Sequence, residues 1–205
     1  AGIAAAGVRL RPTQPGSTIG QVDVWADPAT GVPLQVEVTA RGATLPVLVT
    51  RFLEVRFRAP AAGDLVPPPV RAGMGFAVTN APDITGAIAT LRLGPLPDRL
   101  AGQDRNGTPL ARISGTAAYG SGYTQFVVLP LPRQIGLSAY RSATSAGGTV
   151  TELPGGESVL VSTPLLSVLV LDSDVAHRTY VLAGLVDGKL LQAAATELST
   201  YRWFP

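Results

Sequence analysis

Asp172, Asp174 and His177 form the tightest grouping of metal-ligating side chains in the sequence. Two carboxylates and an imidazole suit a divalent cation, and a metal-activated water would make the chain a hydrolase. The set needs another ligand, yet no second His, Cys or Glu stands nearby to supply it. The plainer reading is a polar turn between two strands. His177 is the one histidine, so a Ser-His-Asp triad would have to use it, and the G-x-S-x-G elbow that exposes a nucleophilic serine is missing. Gly120-Ser121-Gly122 suggests a phosphate cradle but lacks the rest of a P-loop or G-x-G-x-x-G spacing, and it reads as a hairpin turn. Leu153-Pro154-Gly155-Gly156-Glu157 reads as another turn, and nothing places a second carboxylate beside Glu157 for acid/base work. The chain has no cysteine, which removes thiolate chemistry and disulfides. No catalytic residue, metal site or cofactor is assigned, and a non-enzymatic role is expected. The metal-dependent hydrolase stands as an alternative.

The remaining chemistry is apolar. Trp25, Leu48, Phe52 and Phe57 lie in strand-like sequence and could line a groove for a nonpolar ligand; any one of the aromatics taken alone reads as core. Hydrophobic residues make up 46% of the chain and charged residues 15%, which excludes global disorder. No apolar run reaches the ~18 residues a membrane span needs. The longest, at residues 159–171, is broken by Ser162, Thr163, Pro164 and Ser167. Sixteen basic against 14 acidic residues leave a net charge of +2, too little to grip nucleic acid or an anionic bilayer. Contact with a membrane is therefore expected to be peripheral at most.

These residues have to be positioned by sheets. Over residues 8–58 the pattern is strand and turn, with strands expected at 8–11, 21–26, 33–41 and 47–58. Asp27-Pro28-Ala29-Thr30-Gly31 should close a hairpin, because proline fixes φ and glycine accepts a positive φ. In the third strand Leu34, Val36 and Val38 alternate with Gln35, Glu37 and Thr39, the pattern of a sheet with one buried and one wetter face. No helix in residues 1–75 offers the second layer such a sheet needs. Pro67-Pro68-Pro69 marks a linker, and a boundary is placed near residue 75.

The sequence beyond it alternates in type. A short helix is expected at 83–91, then a Gly/Pro-rich loop through Asn106-Gly107, strands at 113–118 and 123–129, and a helix at 132–146 stopped by Gly147-Gly148. Strands follow at 149–153, 158–162, 165–171 and 178–185. A last helix at 187–200 puts Leu190, Leu191, Ala194 and Leu198 on one stripe. The fold class is α+β: a partial antiparallel sheet over 1–75, then a small α+β domain over 76–205.

The stretch from Val22 to Val38 carries V-W-x-D-x-x-T-G-x-P-L as Val24-Trp25-Ala26-Asp27-Pro28-Ala29-Thr30-Gly31-Val32-Pro33-Leu34. It resembles the hairpin of the LolA/RseB-like superfamily, and Thr50-Arg51-Phe52-Leu53-Glu54-Val55 with Pro67-Pro68-Pro69 is similar to the close of that domain. Within the superfamily the chain is most similar to actinobacterial RseB/MucB-like proteins, whose second domain has stretches like Ser162-Thr163-Pro164-Leu165-Leu166 and Arg178-Thr179-Tyr180-Val181-Leu182-Ala183-Gly184. The resemblance implies an extracytoplasmic protein with a half-open barrel, a lipid or lipoprotein acyl chain held near Trp25, Leu48, Phe52 and Phe57, and a protein partner docked by the second domain. It also implies an alternative, an envelope-stress regulator that binds an anti-sigma factor or other envelope protein without a lipid ligand. The small-residue opening AGIAAAG and the missing upstream strands lead us to expect an N-terminally truncated domain, and the resemblance allows a lipid anchor in the full-length form.

Overall fold

A computed structural model describes residues 3–66, 95–106 and 115–202. The expected helix at 83–91, the proline linker and the boundary near 75 lie outside the described residues.

The first sheet is built on the Asp27 turn. The Asp27 carboxylate accepts from the Thr30 amide at 2.9 Å and the Thr30 hydroxyl at 2.6 Å. The Asp27 carbonyl accepts from Gly31 N–H at 2.8 Å, with Gly31 at φ 72°, a conformation glycine adopts without penalty. This turn joins β2 (Ile19–Ala26) to β3 (Pro33–Ala40); β1 (Ala6–Leu10) and β4 (Leu48–Arg51) complete an antiparallel sheet in the order β1-β2-β3-β4. It is open, not closed into a barrel.

The fourth strand is shorter than the expected 47–58. Phe52 N–H still donates to the Leu34 carbonyl at 3.0 Å, but β3 begins at Pro33, so the residues after Phe52 have no strand to pair with. Register sorts the side chains into two faces. Val8, Val24, Val36 and Thr50 form one lateral row, and Leu10, Val22, Val38 and Leu48 the next. That aliphatic face is not the buried face the alternation predicts: Val8 is 57% exposed and Leu48 52%, because neither helix of the described residues packs on it. On the other face Asp23 is buried beneath Arg9, whose guanidinium reaches its two oxygens at 2.6 and 3.1 Å.

The second sheet has eight antiparallel strands in the order β5-β6-β7-β8-β12-β11-β10-β9. They are β5 (Arg99–Leu100), β6 (Gln103–Asn106), β7 (Ala117–Tyr119), β8 (Phe126–Pro132), β9 (Thr149–Leu153), β10 (Gly156–Ser162), β11 (Ser167–Ser173) and β12 (Arg178–Gly184). Where a loop is expected before Asn106, β5 and β6 form a hairpin turned at Ala101 and Gly102, both with positive φ, as a tight two-residue turn requires. β8 begins later and runs further than expected, through Pro130 and Pro132. Those prolines lie beyond the reach of β7, which pairs only with residues 126–128, so they occupy edge positions on that side.

The helices α1 (Arg133–Ser145) and α2 (Gly188–Thr200) cover opposite faces of this sheet. α2 starts where the Asp187 side chain accepts from Lys189 N–H at 3.0 Å, an N-cap. Its Leu191, Ala194 and Leu198 are buried on Leu169, Leu171 and Leu182, the stripe expected from spacing. α1 lies on the Thr179 side, with Gly136 against that threonine, and ends at Gly147 with φ 80°. The fold is thus α+β, as the sequence indicates. The two sheets meet at residues 16–18: Thr18 N–H donates to Leu185 O at 3.1 Å, Asp187 N–H to Gly16 O at 2.8 Å, and the Thr18 hydroxyl to Leu165 O at 2.5 Å.

Candidate functional site

At the hairpin end of the first sheet, Trp25 of β2 pairs with Gln35 of β3, which pairs with Arg51 of β4. The indole continues the row by lying over Gly7 of β1, where a Cβ would stand 3.2 Å from Nε1. Leu34 by alternation belongs to the opposite face. The ladder skips it, matching Trp25 to Gln35 and Ala26 to Pro33, and a bulge of this kind re-aims a side chain. Leu34 therefore joins Trp25 in lining a groove of about 620 Å³ with Ile3, Phe52, Leu53 and Val55. Ala5, Gln35, Arg51 and Glu54 complete its wall. That size falls in the range of about 300–1,000 Å³ typical of small-molecule sites.

The groove's polar groups are unequally committed. Glu54 accepts from Arg56 Nε at 2.8 Å and Nη2 at 2.6 Å. The Gln35 amide donates to Glu37 at 2.7 Å. Arg51 is exposed, and its guanidinium has no hydrogen-bond or ion-pair partner among the described residues.

The structure thus brings together two of the four expected ligand-binding residues, Trp25 and Phe52. Leu48 stands on the opposite, aliphatic face, and Phe57 follows the end of β4 outside the groove lining, 47% exposed. Ile3, Leu34, Arg51, Leu53 and Val55 are not among the site residues expected from sequence; Leu34 joins through the bulge and Arg51 through cross-strand register.

Asp172, Asp174 and His177 are placed otherwise than a metal site requires. Asp172 points from β11 toward α1, where Arg133 Nη2 stands 3.1 Å from it and 2.9 Å from Asp174. The guanidinium supplies the positive charge a metal would bring. His177 sits in the following turn at φ 49°, and no group of three or more potential ligands is present among the described residues. Gly120-Ser121-Gly122 and Pro154-Gly155 are the hairpin turns expected of them, between β7 and β8 and between β9 and β10. A larger depression, about 730 Å³, runs along α1 past Leu137, Arg141 and Ser145, but residues of that helix alone line it and it encloses little.

An open four-stranded sheet with a groove of mixed apolar and polar lining, joined to a sheet covered by helices, defines a class of α+β protein. No protein-family profile matches the chain, and neither does any curated protein. A solved structure titled as the complex of Pseudomonas aeruginosa MucA/MucB contains a chain similar to this one, at 16% identity and a TM-score of 0.42. The match covers 93% of this chain and 58% of that chain, so this chain spans little more than half of its neighbour's length. No helix of the described residues is long and apolar enough to cross a membrane.

Proposed function

We propose that this is a non-enzymatic, extracytoplasmic binding protein of LolA/RseB type. It holds the acyl chain of a lipid or lipoprotein in the Trp25–Phe52 groove and docks a protein partner through its second domain. The observation that carries the reading is the groove itself, whose walls of Ile3, Trp25, Leu34, Phe52, Leu53 and Val55 offer a hydrocarbon chain contact on several sides. Burial supplies the energy, at about 0.8 kcal/mol for each methylene removed from water.

The hairpin motif supports the same reading, because all of its fixed residues except Val24, which lies on the aliphatic face, build the turn, the start of β3 or the groove wall. Asp27, Thr30 and Gly31 make the turn, Pro33 begins β3, and Trp25 and Leu34 form part of the wall.

Organic extraction of the purified protein followed by mass spectrometry tests the proposal. A co-purifying amphiphile in near-stoichiometric amount is expected, and its consistent absence overturns lipid binding. If extracts are empty while the protein captures a membrane-anchored anti-sigma factor, the function is regulation without a lipid ligand.

A further inference from the structure

Arg9, Arg56, Arg58, Arg99 and Arg133 each stand within 4.0 Å of a carboxylate. Arg51 does not, and it lines the groove. The one carboxylate of that wall, Glu54, is neutralised by Arg56, and the Gln35 amide is taken by Glu37. Among the described residues the uncommitted charge at the groove is therefore a single cation, beside the apolar side chains of Trp25, Leu34 and Phe52. A guanidinium offers a planar fork of donors that matches a carboxylate or phosphate and repels a cationic head.

We infer that the groove selects anionic single-chain amphiphiles, with the tail along Trp25, Leu34 and Phe52 and the head on Arg51; this rests on the lipid-binding reading above. The cross-strand row fixes the geometry, since Trp25, Gln35 and Arg51 lie side by side on adjacent strands. A chain running past the indole then presents its head two strands away, where the guanidinium stands. A carboxylate head and a phosphate head share the required chemistry.

Three probes of equal tail length separate the cases: laurate, dodecyl phosphate and neutral monolaurin, each titrated calorimetrically below its critical micelle concentration. At low salt the better anion is expected to bind about fivefold more tightly than monolaurin, as one exposed ion pair allows. That preference should shrink as salt is added. Whichever anion binds more tightly identifies the head group. In Arg51→Gln the ratio of anion to monolaurin affinity should fall to about one; in Arg51→Lys part of it should return. Arg58→Gln, outside the groove, should keep the wild-type ratio. Equal affinities in the wild type, or a preference that survives Arg51→Gln, overturn the inference and leave the lipid-binding reading standing. Failure of all three probes to bind overturns that reading as well.

Discussion

Replacing Phe52 with alanine separates the groove from the aliphatic face as the place where a ligand sits. Phe52 is 58% exposed, so about 115 Å² of the roughly 200 Å² a phenylalanine offers lies in water before binding. A chain lying in the groove would cover one side of the ring, about half of that area. At about 25 cal/mol per Å² this amounts to about 1.5 kcal/mol, or roughly tenfold in Kd. The fold should tolerate the change, because the bond from Phe52 N–H to Leu34 O at 3.0 Å belongs to the backbone. Leu48→Ala is the matched control, since Leu48 is 52% exposed in the row of Leu10, Val22 and Val38 on the other face. Calorimetric titration with laurate should show the tenfold loss for Phe52→Ala and less than about a twofold change for Leu48→Ala. Trp25 adds a second readout: the ligand-induced fluorescence change should disappear in Trp25→Phe, which leaves Trp203 as the one tryptophan. A larger loss from Leu48→Ala than from Phe52→Ala would refute the groove and put the ligand on the aliphatic face.

Three further outcomes test the fold around the site. A methyl group at Gly136 would overlap Thr179 Cβ and Oγ1 and stand 2.6 Å from its Cγ2. Gly136→Ala should therefore lower the denaturant midpoint, because overpacking of about 1–3 kcal/mol outweighs a helix-propensity gain of about 1 kcal/mol; a raised midpoint would show that α1 can shift away. The hydrogen bond from Arg9 holds the Asp23 carboxyl below the usual carboxylate range. Its stabilisation is complete above the ordinary aspartate pKa of about 3.9 and is lost as pH falls through the lower folded value. Asp23→Asn should flatten the acid limb of the stability profile, and an unchanged limb would contradict that pairing. Burial pushes the Tyr119 phenol up to about 12, so its contribution is fully present below a pH of about 10 and is lost as pH rises through the folded value. Unfolding followed by circular dichroism between those limits should show the loss in the wild type and a flatter limb in Tyr119→Phe.

What the sequence made legible was local. The turn of Asp27, Thr30 and Gly31, the stop of α1 at Gly147 and the stripe of Leu191, Ala194 and Leu198 each follow from conformational preference or from a period within one element. What stayed hidden depends on pairing between elements. The end of β4 is set by where β3 begins, so Leu53, Val55 and Phe57 read as strand although no neighbour remains for them. Pro130 and Pro132 read as strand breakers, yet β8 accepts them because β7 is short. Arg51 is unremarkable in the chain and becomes a site residue only when register puts it beside Gln35 and Trp25. The grouping of Asp172 with Asp174 was visible, but its partner Arg133 lies 39 and 41 positions away, and that arginine changes the chemistry from metal binding to ion pairing.

The two faces of the first sheet make different demands on their surroundings. On one face polar side chains satisfy each other: Arg9 and Gln21 both donate to Asp23, and Gln35 donates to Glu37. Water can solvate the remainder of that face at little cost. The other presents Val8, Leu10, Val22, Val24, Val36 and Val38 with Thr50 as its polar exception, and hydrocarbon in that quantity favours a second layer. A tail in the Trp25 groove does not provide one, because the row of Trp25, Gln35 and Arg51 stands on the opposite side of the same strands. Ligand binding and coverage of the aliphatic face are therefore separable events. An amphiphile filling the groove leaves the valine face as exposed as before, so binding should leave the association state of the protein unchanged. Light scattering of the laurate-saturated protein measures this: self-association unchanged from the ligand-free state fits two independent surfaces, whereas its loss on saturation would mean that tail and covering layer compete for one.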